Sequence, residues 1–241
     1  YLDVPFEDVM ALDRLHERRP GVPLILPKHD DYPQLKTPRE LVVCKDEYQF
    51  SRVIFLVRDI RDLAVSAYFQ MSKRRGKFEG TLSEFLHNER GGVSTMIRFH
   101  NIWAQHHQQT FGFLLVRYED LHQDTERELR RMVDFLDMGH VSDETVNRAV
   151  EFASFQNMRK RETGPASAAG PNRLDGGSIS DPESLKTRKG KVGGFADYMG
   201  AEDAAWLTTR LEQELDPMYG YPYRLPAPNG ESQSSELDSN A

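Results

Sequence analysis

The stretch Val53-Ile-Phe-Leu-Val-Arg58-Asp-Ile-Arg-Asp62-Leu-Ala-Val-Ser66-Ala-Tyr-Phe69 changes periodicity at its sixth residue. Five consecutive apolar residues, Val53 to Val57, read as a strand buried on both faces. Beyond Arg58, the residues Ile60, Leu63, Ala64, Ala67, Tyr68 and Met71 recur at helical spacing. Asp59 stands where an N-cap belongs and Asp62 falls in the first turn, so a helix is predicted to start at once. A strand that feeds directly into a capped helix is the βα unit of a parallel sheet.

The pattern repeats on either side. Phe113 to Val116 is a second strand candidate, and Val22 to Leu26 a third, its start set by Pro23. Met96, Phe99 and Trp103 mark a helix, and Trp206, Leu207 and Leu211 mark the last one. Asp124 is expected to cap a helix with the stripe Leu129, Met132, Val133 and Leu136. Its acids Glu126 and Glu128 precede Arg130 and Arg131, the order that the helix dipole favours. Ser142 is expected to cap a segment carrying Val146, Ala149, Val150 and Ala153 on one face. The fold class is therefore α/β, a parallel β-sheet flanked by helices. Residues 162–187, rich in Gly, Pro, Ser and Ala, read as a lid, a binding loop or a disordered segment. Residues 226–241 are polar and expected to be disordered, leaving 1–225 as one domain.

Bulk properties narrow the function. Across 241 residues the formal net charge is −7, which argues against a nucleic-acid partner. Cys44 is the only cysteine, so an intrachain disulfide and a cysteine metal cluster are both excluded, as suits a reducing compartment. No apolar run approaches the length needed to span a bilayer. The sequence opens at Tyr1 rather than Met, which leaves an upstream anchor or targeting segment open.

Two places suit a small anion. Ligands of open α/β sheets bind at the carboxyl ends of strands, and helix N-termini attract negative charge. Arg58 stands at such a junction, ready either to fork onto a phosphate or to pair with Asp59 or Asp62. In Arg188-Lys189-Gly190-Lys-Val-Gly193, two cations and closely spaced glycines can bring side chains and backbone amides onto one phosphate. A solvated basic turn is the alternative.

Residues 53–69 resemble the 3'-phosphate-binding segment of cytosolic sulfotransferases, in which a strand ending Val-Ala-Arg-Asn enters a helix reading Asp-Val-Ala-Val-Ser-Tyr-Tyr. The resemblance implies that Arg58 and Ser66 hold the 3'-phosphate of the donor 3'-phosphoadenosine-5'-phosphosulfate. About 120 residues further on, Arg-Lys-Gly-x-x-Gly resembles the second clamp of that family, implying the same task for Arg188, Lys189 and Gly190. Where the family continues Asp-Trp, this chain has Gly194-Phe195. Leu115-Val-Arg-Tyr118-Glu-Asp resembles the segment whose tyrosine lines the adenine pocket. Ala153-Ser-Phe155-Gln-Asn-Met158 resembles the one whose aromatic packs on the purine. Tyr118 and Phe155 are implied in those roles. The resemblance spans roughly residues 20–200. It implies a P-loop NTPase-like sulfotransferase fold, a metal-free reaction, a cytoplasmic setting without a membrane partner, and a small-molecule or glycan acceptor with a hydroxyl or amine.

Leu26-Pro-Lys28-His29-Asp-Asp-Tyr-Pro resembles the family's catalytic loop, Lys-Thr-His followed closely by proline, and implies His29 as general base. An imidazole suits that task near neutral pH, and Asp30 or Asp31 could orient it. The family lysine sits two residues before its histidine, where this chain has Pro27, so Lys28 is given no role. No loop of the type Pro-Lys-Ser-Gly-Thr-Thr-Trp precedes His29. The expectation is a chain that starts downstream of that loop, with the 3'-phosphate half of the donor site present and the sulfuryl end incomplete. Two rivals stand beside this reading, a P-loop phosphotransferase (kinase) binding ATP with Mg²⁺ and a non-catalytic nucleotide-binding module. Acceptor choice is expected to lie with residues 72–92, including Lys73-Arg74-Arg75-Gly-Lys77, and with residues 162–187. The family's dimer motif is not evident after Gly194, so a homodimer of that kind is not expected.

Overall fold

The computed structural model describes residues 23–164 and 180–223. Its sheet is formed by β1 (Arg52–Val57) and β2 (Gly112–Arg117), which run parallel with Arg52 opposite Gly112 and Val57 opposite Arg117. A parallel pair needs a crossover. Here it is built from α1 (Ile60–Phe69), α2 (Leu82–His87) and α3 (Val93–His106). After β2 come α4 (Tyr118–Gln123), α5 (Thr125–Phe135), α6 (Asp143–Phe152) and α7 (Phe155–Thr163), and α8 (Ala201–Glu214) closes the described fold.

The cap signals act where the sequence puts them. The Asp59 carboxylate accepts from the Arg61 N–H at 2.8 Å, and the Asp124 and Ser142 side chains accept from Arg127 and Thr145 in the same way. Past Phe69 the helix widens into a π-helical turn, Gln70–Arg74. Val57, Ile60, Ala64, Val65, Phe85, Val93, Ile97, Leu207 and Leu211 form the core, so α1, α2, α3 and α8 pack around the end of β1. Burying each of the larger side chains among these stabilises the fold by about 1.5–3 kcal/mol, and the Arg58–Asp59 junction is set on that foundation.

Three expectations need correction. Residues 23–26 are not a strand; Leu24, Ile25 and Leu26 are exposed. An apolar run becomes a strand only where a neighbour satisfies its backbone groups. Among the described residues nothing pairs with this one, and Pro23 lacks an N–H. The stripe on α5 is only half-buried, and its fully buried side chain is Glu128, held between Arg127 and Arg131. On α6 Val146 is buried, whereas Ala149 and Ala153 face solvent. Residues 165–179 and the tail 226–241 lie outside the described residues. No helix among the described residues is long and apolar enough to cross a membrane.

Candidate functional site

The strand register creates the site. Val57 is opposite Arg117, so Arg58 and Tyr118 leave the sheet side by side at its carboxyl edge. The Arg58 guanidinium lies 4.3 Å above the Tyr118 ring. Its Nη2 donates to Asp62 Oδ2 at 3.1 Å and to the Lys191 carbonyl at 2.8 Å, while its buried Nε has no hydrogen-bond partner. Arg58 thus makes the pair with Asp62 and keeps a free donor. Burial pushes the Tyr118 hydroxyl up, against the pull of Arg58, so the phenol stays protonated at neutral pH. That hydroxyl lies 3.1 Å from His122 Nε2.

The second basic motif is brought to the same place by α1. Asp62, buried in its first turn, accepts from the backbone N–H groups of Gly193 at 2.9 Å and Phe195 at 2.8 Å. Gly193 and Gly190 have φ of +72° and +57°, which glycine adopts without strain. Arg188 stacks on Phe69 at 4.3 Å and on Tyr198 at 4.7 Å, and donates to Glu183 Oε2 at 3.2 Å. Tyr198 donates to the same carboxylate at 3.0 Å. Lys189 pairs with Asp197 at 3.0 Å, which holds its ammonium above the usual lysine range.

One cleft of about 330 Å³ results. Arg58, Ser66, Tyr118, Phe155, Arg188, Lys189 and Gly190, singled out from four separate stretches of sequence, all line it. Ser66 is exposed on the cleft side of α1. Arg74, Lys186 and Lys191 add to the wall, so six cations face two carboxylates, Asp62 and Glu183, in a chain whose net charge is −7. Such a pocket concentrates anions locally.

His29 is not among these lining residues. It is exposed, with its ring 6.4 Å from that of Tyr32. Neither neighbouring aspartate orients it, contrary to expectation. Asp30 accepts from Lys45 Nζ at 2.7 Å, the Tyr48 hydroxyl at 2.7 Å and Trp103 Nε1 at 2.9 Å. Asp31 is engaged by Lys36 and by the Val42 N–H. Lys45, almost wholly buried, draws Asp30 inward because an unpaired charge there would be costly.

Sequence reasoning gave Asp62 a place in the first turn and named it as one of two alternative partners for Arg58, but did not connect it to the turn at Gly193, and it passed over Met158 and Glu162. The signal was present. Phe155, Met158, Arg159 and Glu162 fall at i, i+3, i+4 and i+7, one face of a helix.

The sulfotransferase domain family profile matches residues 14–218, most of the chain. The chain belongs to the sulfotransferase family. This sulfotransferase-family chain is 30% identical over 173 residues to Sulfotransferase 1A1 of Bos taurus, covering 66% of its own length and 54% of that relative. It is 32% identical over 183 residues to Sulfotransferase 2A2 of Rattus norvegicus, covering 71% and 58%. Against Cytosolic sulfotransferase 10 of Arabidopsis thaliana it is 26% identical over 203 residues, covering 80% and 56%. The chain therefore spans little more than half the length of these curated relatives. Mouse sulfotransferase SULT7A1, solved in complex with PAP, shares the fold with a TM-score of 0.56 at 23% identity, over 75% of this chain and 65% of that one. Retinol dehydratase, solved with androsterone and the inactive cofactor PAP, does so with a TM-score of 0.52 at 22% identity, over 72% and 50%.

Proposed function

We propose that this sulfotransferase-family chain binds the adenosine 3',5'-bisphosphate portion of 3'-phosphoadenosine-5'-phosphosulfate and serves sulfuryl transfer to a hydroxyl or amine of a small-molecule or glycan acceptor. The carrying observation is the convergence of Arg58, Ser66 and the Arg188–Gly190 segment on one cationic cleft. The fit to a bound anion is specific: Arg58 keeps a buried Nε–H without a partner, which a phosphate oxygen would satisfy. Arg58, Ser66, Arg188, Lys189 and the Gly190 backbone would hold the 3'-phosphate. Tyr118 and Phe155 offer flat faces to a purine. Two solved proteins of the same fold, sulfotransferase SULT7A1 and retinol dehydratase, hold PAP, which supports the same ligand class. When bound, the donor supplies the activated sulfuryl group.

The chain's own contribution is positional and electrostatic. Cations already fixed by stacking and ion pairs need no reorganisation when negative charge arrives. His29 is the proposed base that takes the acceptor proton. Its exposure, and its place outside the cleft lining, favour a second reading, a nucleotide-binding module without turnover.

Calorimetric titration with adenosine 3',5'-bisphosphate, ADP and 5'-AMP tests the donor site. Selective binding of the bisphosphate, weakened about ten-fold or more by Arg58→Ala and by Arg188→Ala, is the expected result. Equal affinity for all three ligands would overturn it. Turnover by the whole protein, lost in His29→Ala with bisphosphate affinity unchanged, would decide for the enzyme over the binding module.

A further inference from the structure

The start of helix α7 touches the second basic motif, and its end holds the two residues that precede that motif. At its start, the Phe155 ring lies against Gly190 so closely that a Cβ there would sit 2.6 Å from two ring carbons. Two turns later, Glu162 receives the backbone N–H groups of Lys186 and Thr187, the latter at 2.8 Å, and also the Thr187 hydroxyl. From the same face, Arg159 donates to the Thr187 carbonyl. All three polar groups of Thr187, which is buried, are therefore taken up by one turn of α7.

The segment that carries Arg188 and Lys189 is therefore held against α7 on both sides, at Thr187 by Glu162 and Arg159 and at Gly190 by Phe155. Burial pushes the Glu162 carboxyl up, but the bonds from Thr187 and Lys186 outweigh it and hold it below the usual carboxylate range. It is ionised, and charge-assisted bonds of this kind are the strong ones.

We propose that Glu162, with Arg159 and Thr187, is a positioning latch that sets the register of the Arg188–Gly190 segment in the anion cleft, so that the 3'-phosphate is recognised only while the latch is closed. Glu162 is absent from the cleft lining, so its action passes through Thr187. The inference rests on the donor-site reading above and names a determinant of its 3'-phosphate selectivity.

The readout is the ratio of affinities for adenosine 3',5'-bisphosphate and 5'-AMP, measured by calorimetry on the full chain, wild type beside Glu162→Gln and Thr187→Val. Glu162→Gln is expected to cut the ratio about ten-fold and to leave 5'-AMP affinity within about two-fold; Thr187→Val, which keeps the volume, is expected to cut it about three-fold. An unchanged ratio, or equal weakening of both ligands, would overturn the latch in favour of a merely structural role. Should Glu162→Gln fail to fold, Thr187→Val carries the same comparison. A wild-type ratio near one would instead sink the donor-site reading, and the latch with it.

Discussion

The Asp62 carboxylate accepts a hydrogen bond from the Gly193 backbone N–H at 2.9 Å, although 131 residues separate the two. Its other oxygen takes the Phe195 N–H, and Arg58 donates to the oxygen that Gly193 uses. Both basic motifs are therefore referenced to one buried side chain. Asp62→Asn replaces one of these acceptors with a donor that faces donors. It is expected to cost about 1–3 kcal/mol of stability and to weaken adenosine 3',5'-bisphosphate binding as well. Urea unfolding and calorimetry check both effects. Full stability in the variant would mean that the turn at Gly193 is held by something else.

Arg58 cannot be exchanged for lysine on this geometry. It stacks a flat face on Tyr118 at 4.3 Å and pairs with Asp62 through Nη2, while its Nε keeps a donor without a partner. Lysine keeps the charge and loses both features. Arg58→Lys is expected to weaken adenosine 3',5'-bisphosphate about ten-fold, roughly 1.4 kcal/mol, with little effect on 5'-AMP. Retained affinity in a titration of the variant would show that charge alone suffices.

At Gly190 two penalties coincide. An alanine there would carry φ near +57° and would meet the Phe155 ring at 2.6 Å. The left-handed backbone costs about 1–2 kcal/mol for a residue with a Cβ, and the ring must also move. Gly190→Ala is expected to be destabilised by at least that amount in thermal unfolding. Adding Phe155→Leu should return the steric part and leave the backbone part, so the two changes should be non-additive. Strict additivity would mean that ring and glycine do not press on each other.

What the sequence disclosed was local. The Val53–Val57 strand, the Asp59, Asp124 and Ser142 caps and the spacing of the buried residues on α1 are written within a few neighbouring positions, and the fold follows them. The failures were all questions of long-range partnership. Residues 23–26 have the composition of a strand but, among the described residues, no neighbour to pair with. Asp30 is next to His29 in sequence, yet its carboxylate is claimed by Trp103 from 73 residues away. The Arg58–Asp62 pair was within local reach, but the partners that tie Asp62 to the second motif, Gly193 and Phe195, lie more than 130 residues away. Resemblance named seven residues that line the cleft and one, His29, that does not; it named neither Asp62 nor Glu162, whose observed hydrogen bonds are to the chain itself.

His100 gives the fold its own pH dependence. The ring is buried against Phe55, Phe99 and Tyr219, and its Nδ1 lies 2.7 Å from the Met96 carbonyl as a donor. Burial lowers its pKa to about 4, against the weaker opposing effect of that hydrogen bond. An unfolded chain protonates the same histidine near 6.5, so below that pH the unfolded state binds the extra proton. The contribution of neutral His100 is therefore complete above about pH 6.5 and drains away as pH falls toward 4, a change of roughly 3 kcal/mol. The carboxylates begin to titrate only near the lower end of this window, so the upper part isolates the histidine. Urea midpoints at pH 7.5, 6 and 5 should fall steadily for the wild type and stay level for His100→Gln, which keeps a donor for Met96. Parallel curves for the two proteins would mean that the ring is protonated within the fold and that its pocket is wetter than its packing indicates.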